Sequence, residues 1–195
     1  MKKRSNIAPI AIFFAVMLVI HFLSSLLFNL FPFPIKPTIV HIPVIIAGIV
    51  LGKEKGAGIG LVFGLSSLIM NTIQPTVTSF VFSPFISGSI LSAVIAIVPR
   101  VLIGYVAGLI YELLKGKNET IAMIVGSFLG AMTNTILVLG GIYVIFGSQY
   151  ASAIGQDFSA LLPYLLGIIT TNGIVEAIVG TIIAVMVSRI LIKMN

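Results

Sequence analysis

Leu114-Lys115-Gly116-Lys117-Asn118-Glu119 is a charged, glycine-broken interruption between two long apolar runs, 84–114 and 120–146. A membrane-spanning helix takes ~20 predominantly apolar residues, and both runs are long enough. Lys and Arg held in short links beside such runs mark the cytoplasmic side. The stretch therefore reads as an inner turn between two membrane helices. Gly52-Lys53-Glu54-Lys55 repeats the pattern upstream, and Lys2, Lys3 and Arg4 at one end match Arg189 and Lys193 at the other.

Working outward from these links, the chain divides into six apolar spans at about 7–28, 38–51, 56–72, 84–114, 120–146 and 161–192. The segment 84–89 has room for a non-helical or re-entrant entry to the fourth. Three links poor in Lys and Arg fall on the opposite side. The first, Asn29 to Pro37, carries Pro32, Pro34 and Pro37 and cannot continue a helix. Nine of the eleven basic residues lie on the inner side of this threading. The expected fold is an all-α membrane protein, one compact bundle of six transmembrane helices over residues 1–195, with both termini cytoplasmic.

Composition agrees. The chain has 195 residues, 58% of them hydrophobic and 8% charged, with a mean hydropathy of +1.22. Such segments need lipid as solvent. The net charge of +6 is explained by its placement at membrane links, so no nucleic-acid partner is expected. The basic start and first apolar run read as a retained helix, since no small-residue cleavage site follows.

Small residues recur at helix-packing spacing: Ala11 and Ala15, Gly48 and Gly52, Gly56, Gly60 and Gly64, Gly104 and Gly108, Gly126 and Gly130. They let backbones approach closely where lipid supplies little hydrophobic drive. Ala11 and Ala15 are the best candidates for a partner face; the others read as intrachain packing.

Polar residues inside apolar spans carry the functional reading. Asn172 and Glu176 are four apart and share one helix face, Asn134 sits within the fifth span, and Arg100 follows Pro99 in the fourth. Asn134 lies about 15 residues from the inner end of its span and Asn172 about 12 from the outer end of its own, so both reach comparable depth at ~1.5 Å per residue. Two readings stand side by side. Arg100, Glu176 and the carboxamides satisfy one another and hold the bundle, or they line a pocket open to the outer side. Carboxamides both donate and accept hydrogen bonds, which suits a polar solute. Phe33, Gln74, Thr78, Tyr143 and Tyr164 are candidate lid contacts, and His41 is either a ligand contact or an interfacial cap.

Catalysis has no support. The chain lacks cysteine, HExxH and clustered carboxylates, and has no GxxxxGK[ST] phosphate loop. Any ATP-driven step belongs to a partner.

The six spans, the Ala11/Ala15 pair, the Pro/Phe-rich first outer link and the polar sequences of spans five and six resemble the S component of an energy-coupling factor vitamin transporter, along essentially the whole chain. His41-Ile42-Pro43-Val44-Ile45-Ile46-Ala47-Gly48, Met132-Thr133-Asn134-Thr135 and Thr171-Asn172-Gly173-Ile174-Val175-Glu176 look most like the pantothenate-specific group. The resemblance implies vitamin binding without catalysis in the bacterial cytoplasmic membrane. Ala11 and Ala15 would meet a transmembrane coupling subunit, and two ATPase subunits would use ATP and Mg, with no cofactor on this chain. Folate, a vitamin B6 form or cobalamin are the alternative ligands; a self-contained carrier or channel is the alternative class.

Overall fold

A computed structural model describes residues 7–30 and 39–194. The expectations placed on residues 2–4, on Phe33 and on Pro32, Pro34 and Pro37 lie outside them. All regular structure among the described residues is helical. The first apolar run forms α1 (Ile7–Leu30). Next come α2 (His41–Leu51) and α3 (Lys53–Ile73), divided by Gly52 alone. Gly52 has φ +97°, a region open to glycine and resisted by side chains. One residue thus makes the whole turn, and α3 starts at Lys53 rather than near 56. Glu54 falls in its first turn, where a carboxylate complements the helix dipole.

The link after α3 is folded rather than loose. It contains a 3-10 turn, Ser79–Val81, and the single turn α4 (Pro84–Ser87), closed by Gly88 at φ +70°. Its hydroxyls bond one another: Ser79 Oγ donates to Asn71 Oδ1 at 2.8 Å and accepts from the Thr76 amide at 2.8 Å. Thr72 Oγ1 lies 2.7 Å from Ser83 Oγ. Ser92 Oγ donates to the Phe80 carbonyl at 2.7 Å. Ser79, Ser83 and Ser92 are fully buried, and buried hydroxyls require such partners.

Ser89 caps α5 (Ile90–Leu114) by accepting from the Leu91 amide, and Asn118 caps α6 (Glu119–Ala153) by accepting from Ile121. The sequence ends its fifth span at 146, but α6 continues to Ala153 across a break at Phe146, with φ −122° and ψ 16°. Gly147 makes room beyond the break: a Cβ there would lie 2.6 Å from the Phe158 ring. The last run is α7 (Phe158–Ile168), a π turn (Ile169–Gly173) and α8 (Ile174–Met194).

Four described helical runs are long and apolar enough to cross a membrane: α3, α5, α6 and the continuous Phe158–Met194 run. Ile10–Ser24 within α1 and all of α2 are shorter apolar helices. The outer surface is itself apolar, with Val144, Ile90, Leu113 and Ile190 well exposed, as contact with lipid demands.

The centre is α2, buried from His41 to Ile49 and packed against α3, α5, α6 and α8. Glycine makes this approach possible. A Cβ on Gly56 would lie 2.8 Å from the Gly48 amide, and one on Gly104 would be 2.8 Å from the Gly56 Cα. On Gly108 it would meet the Gly48 carbonyl at 2.6 Å, and on Gly126 the Ala107 carbonyl at 2.7 Å. The glycine pairs are therefore intrachain seams, except that Gly52 serves its turn. At one end of the bundle Lys53 Nζ pairs with Glu112 at 2.8 Å, Tyr111 donates to Glu119, and Arg189 Nη2 donates to Thr120 at 2.9 Å.

Replacing Gly104 with Leu is expected to lower stability by about 1–3 kcal/mol or more through overpacking. Gly140→Ala, where an added Cβ meets nothing within 4 Å, should shift stability by about 1 kcal/mol at most; thermal unfolding in detergent compares them. Ser79→Ala should cost about 1–3 kcal/mol by stranding the Thr76 amide and Asn71. Faster hydrogen exchange confined to 74–89 would show that the hydroxyl network holds this link.

Candidate functional site

The π turn is where the last helical run turns polar. Thr170 and Thr171 bend their hydroxyls back onto the Leu166 and Gly167 carbonyls, at 2.7–3.1 Å. Those bonds occupy acceptors that a widened turn leaves short of ladder partners. Asn172 and Gly173 follow, and α8 resumes at Ile174. Gly173 lets α6 come close: a Cβ there would meet Thr135 Cγ2 at 2.8 Å.

Between α6 and this turn lies a cavity of about 180 Å³, lined by Asn134, Thr135, Val138, Leu139, Ile168, Asn172, Gly173 and Glu176. Three of the residues singled out from the sequence, Asn134, Asn172 and Glu176, thus face one space. Asn134 Oδ1 is buried without a hydrogen-bond partner. A stranded buried acceptor is costly, about 1–3 kcal/mol, unless a donor arrives. Asn172 Oδ1 accepts from Thr171 at 3.2 Å, which leaves its amide donors directed elsewhere.

Glu176 also borders a second cavity of about 120 Å³, with Ile39, His41, Ile42, Val175, Val179 and Gly180. His41, the first residue of α2, is buried. Gly180 makes space for it, since a Cβ there would lie 3.0 Å from His41 Nε2. The buried position of His41 does not suit an interfacial cap. It stands instead inside the bundle, one cavity wall away from the carboxamides.

The remaining residues distribute differently. Tyr143 stacks on Phe158, centroids 5.6 Å apart and planes 12° from parallel, within an apolar cluster that includes Leu139 and Ile168 of the first cavity's lining. Tyr164 and Gln74 are exposed, and Thr78 is half-buried at the start of the 3-10 turn. Of the link hydroxyls, Thr76 and Ser79 are engaged with each other and with Asn71. Ala11 and Ala15 are exposed on α1.

Arg100 is not paired with Glu176. Pro99 has no N–H to give the Ile95 carbonyl four residues back. Arg100 Nη1 takes that acceptor at 3.0 Å. Its guanidinium carbon lies 5.1 Å from the Phe82 ring centroid and 5.7 Å from that of Phe63, and the side chain is buried. The dipeptide Pro99-Arg100 held this information in the sequence. The apolar cavity walls, Val138, Leu139, Ile168 and Val179, had no such signal, because they look like any lipid-facing residue. Gly180 was findable, four residues after Glu176 on the same helix face.

Comparison with known proteins gives the geometry a context. The family model for "ECF transporter, substrate-specific component" matches residues 5–188. The pantothenic acid transporter PanT of Lactococcus lactis subsp. cremoris is 39% identical over 198 residues, covering 98% of this chain and 95% of that protein. The pantothenate transporter PanT of Leuconostoc mesenteroides subsp. mesenteroides is 31% identical over 163 residues, covering 80% and 76%. With a family match over nearly its whole length, and a helical bundle that buries polar side chains against internal cavities, the chain belongs to the substrate-specific components of ECF transporters.

Proposed function

We propose that this chain binds pantothenate from outside the cell as the substrate-specific subunit of an ATP-driven importer. The observation that carries the reading is Asn134 Oδ1, buried without a partner in the cavity that Asn172 and Glu176 also line. Pantothenate has an amide and two hydroxyls, donors suited to that acceptor and to the Glu176 carboxylate. The names of the two relatives supply the choice of vitamin.

The same reading takes the bundle as six spans. α1 and α2 complete the four longer runs, and both termini face the cytoplasm with the basic links. It also places the Pro/Phe-rich first link and the link around Gln74 and Thr78 outside, over the site. The exposed Ala11 and Ala15 face a transmembrane coupling subunit, because small residues admit close helix approach. Two ATPase subunits supply ATP hydrolysis with Mg, and this chain binds no cofactor.

Equilibrium binding of the purified chain to a vitamin panel tests the ligand. Pantothenate is expected to bind tightly and folate, pyridoxine and cobalamin weakly; the reverse order would reassign the substrate within the family. Asn134→Ala should weaken pantothenate binding on the order of 10-fold, the value of about one lost hydrogen bond, with the helical signal unchanged. Wild-type affinity in that variant would move the site elsewhere. Ala11→Leu with Ala15→Leu should leave binding intact and abolish most uptake in cells carrying the coupling and ATPase subunits. Uptake by the purified chain alone in vesicles, with multiple turnovers, would instead make it a self-contained carrier.

A further inference from the structure

Arg100 holds a charge that meets no counter-ion among the described residues. The sequence has five acidic side chains, Glu54, Glu112, Glu119, Asp157 and Glu176, and all lie among the described residues. Among the described residues, none of them forms an ion pair with Arg100 within 4.0 Å. The guanidinium has five N–H donors. One hydrogen bond leaves it, from Nη1 to the Ile95 carbonyl, while Nε is buried with no partner. The Phe63 and Phe82 rings offset part of the desolvation but accept no conventional hydrogen bond.

Satisfying the carbonyl that Pro99 vacates does not require an arginine. A serine or threonine hydroxyl would do so without a buried charge, so the cation itself calls for an explanation. Ionisable groups inside membrane segments are costly and pair with something. An anion from outside the chain would supply such a partner. The location fits the proposed site. Ile95, whose carbonyl holds the guanidinium, packs in one apolar cluster with Val138, and Val138 also lines the Asn134–Asn172 cavity. Phe82, from the folded link around the 3-10 turn, packs against the same cluster. The backbone that holds Arg100 and the cavity that the carboxamides line therefore adjoin the same apolar cluster.

We propose that Arg100 is the carboxylate subsite, so that this protein selects an acid over the corresponding neutral alcohol. The assignment rests on the pantothenate reading above and adds an orientation: the carboxylate meets Arg100, and the hydroxyl- and amide-bearing part meets Asn134 and Asn172. A guanidinium accommodates a carboxylate through two parallel N–H···O bonds, which an uncharged hydroxymethyl group cannot reproduce. Glu176, an acceptor rather than an anion receptor, is then left for the hydroxyl end.

The test compares pantothenate with pantothenyl alcohol, in which the carboxylate is replaced by hydroxymethyl, on the purified wild-type chain and on Arg100→Lys and Arg100→Met. Wild type should prefer the acid on the order of 10- to 100-fold, the range of a charge-assisted hydrogen bond. Arg100→Lys should retain part of that preference, since the charge persists without the bidentate fork. Arg100→Met should bind both compounds alike, at the wild-type affinity for the alcohol. The wild-type comparison needs no variant to fold. Equal binding of acid and alcohol by wild type, or an undiminished acid preference in Arg100→Met, overturns the carboxylate subsite while leaving the ligand assignment intact. Failure of wild type to bind either compound overturns the pantothenate reading and the subsite together.

Discussion

Backbone contact without side chains is the constraint on which this bundle depends. At Gly48, Gly56 and Gly104 the main chains of α2, α3 and α5 meet so closely that one added carbon on any of them runs into a neighbour's backbone. In lipid, helices gain little by hiding apolar side chains from one another, because the tails outside are equally apolar. Dispersion across a tight seam takes over that role. The seam also accounts for α2, a helix of 11 residues too short to be held by its own length. Enclosed by α3, α5, α6 and α8, it presents His41 from its first turn to a cavity rather than to the surface.

With the framework held by glycine, the polar side chains of the interior are released from structural duty. Their arrangement bears this out. Buried serines of the link after α3 are bonded to one another and to local backbone, which is what hydroxyls do when they serve the fold. Asn134 keeps its Oδ1 acceptor unmet and Arg100 keeps its Nε–H donor unmet. Leaving such groups unsatisfied opposes folding, so the bundle must be stable enough to hold them ready. In the proposed site, polar groups held in this state would lower the reorganisation needed when a ligand supplies the missing partners.

Much of this was legible in the sequence, for identifiable reasons. Charged residues are excluded from lipid, so breaks had to fall near Gly52 and Lys115 to Asn118, although helix already resumes at Lys53 and Glu119. Glycine at four-residue spacing in apolar runs had few uses other than close approach. Asn134, Asn172 and Glu176 stood out because carboxamides and carboxylates are rare in such surroundings, and they do line one cavity. Other features were hidden. The run from Gly147 to Ala153 is polar enough to read as a link, yet helix continues through it, since an interfacial segment has no need to stop where lipid ends. Of the two readings of Arg100, the one in which it meets Glu176 followed charge alone. It overlooked the carbonyl left open by Pro99, a local acceptor four residues away. That Ser79 and Ser83 in the link after α3 find their partners close by was also hidden, because composition does not reveal which bonds a hydroxyl makes.

The π turn has a consequence for how such a site can change. A π turn holds one more residue than the α-helical turn it replaces, so the helices before and after it keep their packing faces while the extra residue is taken up locally. In this chain the excess falls at Ile169–Gly173, beside the carboxamides. Variation in this segment reshapes the cavity wall without rotating α7 or α8 against the bundle. A scaffold pinned by glycine can thereby keep its seams constant and exchange one solute for another through a few residues of helical slack.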